Sequence, residues 1–259
     1  MRILVPVKQV PDLVEDLEVG PDGVSLDQDL VKYVLNEFDD HALEEALQLK
    51  ETDSVTEVVA IALDYGDVDQ VLFTCLAKGA DRAIKVEGAF GSSPDSHTAA
   101  RALAATLRDL QFDLVLTGVQ AIDDLDGQVG PLLATLLELP HVSVATHLAL
   151  DADGRTLSVQ QEYGAGVTAE LQVDLPAVIG VQAARATPRY ASVSRVRQLM
   201  RSAELETVSA DVSAAGTRLQ VERLFKPTST THAEMLKGSP AAVADAIARL
   251  LQERGVLRG

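Results

Sequence analysis

Gly118-Val119-Gln120-Ala121-Ile122-Asp123-Asp124-Leu125-Asp126-Gly127-Gln128-Val129-Gly130 is the stretch from which the rest of the chain is read. It follows Phe112 to Thr117, an apolar run with the character of a buried strand. It leads into Pro131 to Leu139, which reads as a helix. A loop from the carboxyl end of a strand to the amino end of a helix presents free backbone N–H groups and the positive end of a helix dipole, a natural seat for an anion such as phosphate. Gly118, Gly127 and Gly130 let the backbone come close to a ligand without Cβ collisions. The spacing is not the dinucleotide-binding fingerprint. From these residues alone, a nucleotide site and an ordinary strand-to-helix connection with turn glycines both stay open.

Outward from that loop the pattern repeats. Arg2 to Lys8 is apolar and β-branched, bounded by Pro11, and reads as a central strand. A helix is expected from about Asp39, with Ala42, Leu43, Ala46 and Leu47 at helical spacing; Asp39 and Asp40 suit its N-terminus, where negative charge complements the dipole. Strands follow at 56–63, 82–86 and 113–117, and helices at 68–78 and 96–110, with Ala99, Leu103, Leu107 and Leu110 on one face of the latter. Continuous apolar strands alternating with helices predict a doubly wound, mostly parallel α/β sheet of Rossmann-like three-layer form. Two hairpin signals add antiparallel strands. Gly20-Pro21-Asp22-Gly23 lies between 17–19 and 24–26, and Asp151-Ala152-Asp153-Gly154 between 146–150 and 156–161. Strands are also expected at 169–173 and 177–181. Past Tyr190 the regularity fades, and only 240–254 reads as a clear helix. The expected division is therefore an α/β domain over 1–190 and a recognition loop with an extended C-terminal arm over 191–259.

Composition narrows the function classes. The formal net charge of −17 disfavours nucleic acid and anionic lipid, which bind basic patches. Aromatic residues make up 3% with no tryptophan, which argues against a base-stacking platform. No apolar run approaches the length of a membrane span, and no secretory signal is visible at the N-terminus. The expected location is soluble and cytoplasmic. The single cysteine, Cys75, falls in a helical apolar pattern and reads as a buried thiol. His41, His97, His141, His147 and His232 lack metal-ligand spacing, so no metal is expected.

Several motifs, in order over roughly residues 1 to 195, carry a resemblance. They are Val7-Lys8-Gln9-Val10-Pro11-Asp12; Leu35-Asn36-Glu37-Phe38-Asp39 leading into Ala42-Leu43-Glu44-Glu45-Ala46-Leu47; and Ala77-Lys78-Gly79-Ala80-Asp81-Arg82-Ala83. Gln120-Ala121-Ile122-Asp123-Asp124 with Gln128-Val129-Gly130, Leu175-Pro176-Ala177-Val178, and Pro188-Arg189-Tyr190-Ala191 complete the set. Together they resemble the β subunit of the electron transfer flavoproteins. The resemblance implies a heterodimer in which an α subunit holds FAD and the β subunit holds an adenine nucleotide, usually AMP. It further implies that the pair carries electrons from acyl-CoA and other dehydrogenases to a quinone oxidoreductase, with no general acid, base or nucleophile required of this chain.

Carried over position by position, the resemblance places Pro6 against the adenine, Asn36 and Phe38 over the nucleotide toward the flavin, and Leu63 along the same cleft. Gly118, Val119, Gln120, Ala121, Ile122, Asp123, Asp126, Gly127, Gln128, Val129 and Gly130 form the loop around ribose and phosphate. The chain departs from the family at Val119, where a cation is common, and at Glu37, where proline is usual. Asp123, Asp124 and Asp126 set three carboxylates beside the phosphate, read as one facing ribose and two solvated. Residues 184–200 overlap the family's dehydrogenase-recognition loop, with Val193 in place of the usual leucine anchor, a loss of about 1 kcal/mol of burial. Arg185, Arg189, Arg195 and Arg197 form a basic patch there. Two other readings are carried. One is a β subunit of an electron-bifurcating, NADH-oxidising relative with a second FAD replacing AMP; the other is a stand-alone adenine-nucleotide-binding module.

Overall fold

A computed structural model describes residues 1–52, 55–91, 93–152, 154–210, 221–227 and 235–257. Strand β1 (Arg2–Pro6) is followed by the short β2 (Gln9–Pro11) and β3 (Tyr33–Leu35), which pair with each other as a separate antiparallel ribbon. Then come α1 (Glu37–Thr52), β4 (Glu57–Leu63), α2 (Val68–Lys78), β5 (Arg82–Glu87), α3 (Ser96–Arg108), β6 (Leu114–Gly118) and α4 (Val129–Leu137). The chain continues through β7 (His141–Leu150), β8 (Thr156–Glu162), β9 (Thr168–Asp174), β10 (Ala177–Val181), α5 (Val193–Ser202), β11 (Glu206–Ser209) and α6 (Pro240–Glu253).

One nine-stranded sheet has the order β11-β5-β4-β1-β6-β10-β7-β8-β9. It is parallel from β11 through β7, and β8 and β9 add antiparallel strands at the far edge. Both faces are covered, which is why the central strands are apolar without interruption. Alternate residues serve opposite layers. Ile3, Val5, Val58, Ala60, Leu114, Leu116 and Ile179 pack with Leu43, Ala46, Leu47, Val71, Leu72 and Cys75 of α1 and α2. Leu4, Val59, Ile61, Ile84, Val115 and Val178 pack on the other side with Leu103 and Leu107 of α3 and with Leu133 and Ala134 of α4. The doubly wound architecture is as the alternation predicts.

The tail differs from its expected form. Residues 193–202 form a helix whose first turn is capped by Ser192 Oγ, which accepts from Arg195 N–H, and Val196 is buried where α5 meets α2. Strand β11 then lies parallel to β5, with Glu206 opposite Ile84. The compact unit therefore runs from Met1 to Leu224, past the boundary expected at 190. A one-turn apolar stripe among arginines and a four-residue edge strand leave too little apolar periodicity to read. The second unit, Phe225 to Gly259, contains α6, begun by Ser239 Oγ accepting from Ala242 N–H and by Pro240 in the first turn. The Gly20–Gly23 hairpin shrinks to a single bridge between Val19 and Leu26. The 151–154 turn joins β7 to β8, with Asp153 outside the described residues.

Candidate functional site

From β1 the chain winds outward to β4 and β5 on one side, and β6 and β10 lie on the other. The sheet order therefore reverses at the carboxyl ends of β1 and β6, the place where open α/β sheets bind ligands. A cleft opens there. Pro6, Asn36, Leu63, Gly118, Val119, Gln120, Ala121, Asp126, Gly127, Gln128 and Val129 line it. Phe38, Ile122, Asp123 and Gly130 do not. Phe38 is half-buried in the first turn of α1, Ile122 is exposed, and Gly130 is buried inside α4. Sequence reasoning passes over Lys8, Asp39, Tyr65, Ser96, Ala99, Leu103 and Thr117 as cleft residues. Thr117 has a readable signal, a hydroxyl ending the apolar run Leu114-Val115-Leu116.

Asp39 stands at the start of α1 as read, with a longer reach. It lies in the first turn of α1, but its carboxylate reaches back toward the sheet and accepts from Lys8 N–H at 2.8 Å and Gly118 N–H at 3.1 Å. Asn36, buried beside it, donates Nδ2 to the Gln120 carbonyl at 2.9 Å. A Cβ on Gly118 would stand 2.4 Å from Asp39 Oδ1 and 2.8 Å from both Asp39 N and Phe38 C, so the start of α1 can approach β6 only across a glycine. Burial pushes the Asp39 carboxyl up to about 7, against the pull of the Lys8 amide, Asn36 and the Gly118 amide.

The loop carboxylates are tied down. Lys8 Nζ bridges Asp123 Oδ1 at 2.7 Å and Asp124 Oδ2 at 2.8 Å. Burial pulls the Lys8 ammonium down, but Asp123 and Asp124 more than offset it, and its pKa ends above the ordinary lysine value. Ser96 Oγ, at the start of α3, donates to Asp126, 2.8 and 2.9 Å from its two oxygens. Asp123 and Asp124 are exposed, in keeping with two solvated carboxylates among the three, and Lys8 bridges them. Gly127, at φ +61°, lets the loop turn against the Val119 carbonyl, 2.8 Å from where a Cβ would sit.

Two hydroxyls in the cleft lack a partner among the described residues: Thr117 Oγ1 and Tyr65 Oη, both buried. At the rim, α4 begins at Val129 with no side-chain cap from Gln128, in contrast to α3, where Asp95 caps the Thr98 amide. Apolar walls, two unsatisfied hydroxyls and an uncapped helix end suit a ligand with a flat apolar part, a polar part and a negative group. Among the described residues no cluster of His, Cys, Asp or Glu could hold a metal ion, and no helix is long and apolar enough to cross a membrane.

The basic patch near 190 is smaller than the arginine count suggests. Arg189 donates Nε and Nη2 to Glu44 and Nη1 to Glu51, and Arg185 pairs with Glu45. Both are committed to α1. Arg195 and Arg197 are exposed on α5, as is Val193 in its first turn.

Fold and cleft define an open, doubly wound α/β protein with a ligand cleft at its switch point. The family model for the electron transfer flavoprotein domain matches residues 24–213. The electron transfer flavoprotein subunit beta of Methylophilus methylotrophus is 33% identical over 98% of each chain. The mitochondrial subunit beta of Arabidopsis thaliana is 38% identical over 76% of this chain and 77% of its own. The human subunit beta is 36% identical over 76% of each. The chain belongs to the electron transfer flavoprotein family, as a β subunit.

Proposed function

We propose that this chain is the β half of a heterodimeric electron carrier that works in the cytoplasm. It holds AMP in the switch-point cleft and cradles the FAD domain of an α subunit. The pair takes electrons from dehydrogenases of the acyl-CoA type and delivers them to a quinone oxidoreductase. The observation that carries the reading is the pair of buried, unpartnered hydroxyls, Thr117 Oγ1 and Tyr65 Oη, in one cleft at that point of the sheet. Buried polar atoms are seldom left unpaired without a ligand or water to meet them.

The residues present fit such a nucleotide. Pro6, Leu63, Ala99 and Leu103 offer an apolar slot for a base, Thr117 and Tyr65 offer hydroxyls, and the uncapped first turn of α4 offers amides to a phosphate. FAD, held mainly by the α subunit, supplies the electron-carrying chemistry. This chain's residues bind and orient. Val193, Arg195 and Arg197 on the exposed side of α5 form the surface offered to dehydrogenases.

The test is to co-purify the chain with its partner, denature the pair, and identify and count the released nucleotides by chromatography. One FAD and one AMP per pair is the expected result. Two FAD and no AMP would instead indicate the bifurcating type. Adenine nucleotide on this chain with neither flavin nor partner would leave a stand-alone binding module.

A further inference from the structure

We propose that Asp39 is the positioning residue of the cleft. Its buried carboxylate locks the end of β1, Asn36 and the start of the 118–127 loop into the single arrangement that receives the nucleotide. The inference rests on the reading of the cleft as an AMP site and concerns how that site is kept in shape.

Three lining segments meet at this one group. From the β1 side, the Lys8 amide donates to Oδ2 at 2.8 Å. From the β6 side, the Gly118 amide donates to Oδ1 at 3.1 Å. Asn36, buried beside the same carboxylate, donates Nδ2 to the Gln120 carbonyl at 2.9 Å. Lys8 carries the tie onward, since its Nζ holds Asp123 and Asp124 further along the loop. The loop thus connects back to Asp39 at 118, 120 and 123–124. Gly118 has no room for a side chain because the carboxylate stands against it, so the two elements are fitted together.

Such a carboxylate is an expensive part. Asp39 is only 7% exposed, and the Lys8 ammonium is spent on Asp123 and Asp124, so the buried charge is met chiefly by neutral donors. A neutral group there would avoid desolvating a charge, at the loss of an acceptor for one of the two amides. Retaining the charge therefore favours the shape of the cleft over the stability of the fold, a trade found where strained or destabilised sites serve binding. The same burial pushes its pKa up to about 7.

The experiment uses the full chain stripped of nucleotide, with AMP as the probe in calorimetric titration and with thermal unfolding alongside. Asp39→Asn keeps size and shape but loses an acceptor, and is expected to weaken AMP about tenfold. Its nucleotide-free melting temperature should change little, relief of the buried charge offsetting the lost acceptor. Unchanged AMP affinity overturns the proposal, and so does a parallel fall in affinity and melting temperature, which would mark a merely structural residue. A second variant, Asn36→Ala, cuts the tie to Gln120 and leaves the carboxylate in place. It should weaken AMP about threefold, and no change again overturns the proposal. Backbone amide exchange at Lys8 and Gly118 reads the lock without any ligand. Faster exchange in Asp39→Asn is expected, and equal rates overturn the proposal. A wild-type chain that binds no adenine nucleotide fails the AMP reading itself, and the exchange rates then decide separately whether Asp39 locks the loop.

Discussion

Arg189 grips Glu44 with two parallel hydrogen bonds, Nε to Oε2 at 2.8 Å and Nη2 to Oε1 at 2.9 Å, and its own backbone N–H adds a third at 3.0 Å. Glu44 is 4% exposed. Burial raises its carboxyl, but Arg189 more than offsets this and leaves the pKa below the ordinary glutamate value. Neighbouring backbone joins in: the Arg185 amide donates to Glu45, the Ala184 amide to His41 Nδ1, and Lys78 Nζ to the Arg189 carbonyl. The chain between β10 and α5 is therefore strapped to α1 and α2, and it delivers α5 to the surface in a fixed place.

Arginines close in sequence should consequently behave differently. Arg189→Ala leaves a buried carboxylate short of its partner and is expected to lower unfolding free energy by about 1–3 kcal/mol. Arg189→Lys should recover only part of this, because an ammonium cannot reproduce the two-pronged geometry. Arg195 is exposed, and among the described residues its guanidinium meets Gln198 at 3.3 Å. Arg195→Ala should stay within about 0.5 kcal/mol of the wild type. Urea unfolding of the three variants distinguishes these outcomes, and equal losses for Arg189→Ala and Arg195→Ala would mean the strap carries no energy.

Gly118→Ala should be far worse than an alanine placed at an open glycine. Its Cβ would collide with backbone at Phe38 and Asp39 as well as with the Asp39 carboxylate, none of which can swing aside like the end of a flexible side chain. A loss of about 1–3 kcal/mol is expected from such overpacking. Gly164 has nothing within 4 Å of its Cβ position, and Gly164→Ala should fall within about 0.5 kcal/mol of wild type. Scanning calorimetry of both variants reads the difference.

The fold was legible because its signals are long and periodic. The short, β-branched run Val58-Val59-Ala60-Ile61-Ala62 reads as a strand buried on both faces, and Val68 to Lys78 carries helical spacing bounded by Gly79. Helix α5 is hard to read because Val196 alone of its ten residues is buried. The cleft was half legible. Gly118 and Gly127 announce close backbone approach, and what comes close is the chain itself, Asp39 and Phe38 at one and the Val119 carbonyl at the other. Asp39 sits in the first turn as read, but nothing local reveals that its carboxylate also takes amides 31 and 79 positions away. Arg189 was misjudged for the same reason. Charge in a sequence does not say whether its partner lies inside the chain or outside it.

The Lys8 bridge governs the loop at the cleft mouth. Lys8→Met keeps the apolar stem and removes the ammonium, leaving Asp123 and Asp124 to repel each other without a counter-ion. About 1 kcal/mol of stability should be lost at low salt, with a smaller difference at high salt, since the bridge is partly exposed. Proteolytic cleavage within 121–127 should accelerate in the variant. An unchanged cleavage rate would mean that the loop is held without Lys8.

Asp39 also sets a pH dependence whose sign runs against the usual carboxylate. Its folded value of about 7 lies above the ordinary 3.8, so between the two the folded chain holds a proton that the unfolded chain has released. This group's destabilising effect is therefore full above about pH 7, shrinks as pH falls through that value, and is gone near pH 4, with a span of about 4 kcal/mol at most. The other titratable groups that face it do not change charge in this window. Tyr65 and Cys75 are both pushed upward, chiefly by burial, and stay neutral, while Lys8, raised by its aspartates, stays charged. Asp39→Asn removes the titration. The stability of the nucleotide-free variant relative to wild type should be highest near pH 8 and fall toward pH 4. Urea unfolding of both proteins across that range measures the gap directly. Parallel curves would mean that Asp39 ionises in the fold as it does in water, and that its burial is relieved by solvent reaching the cleft floor.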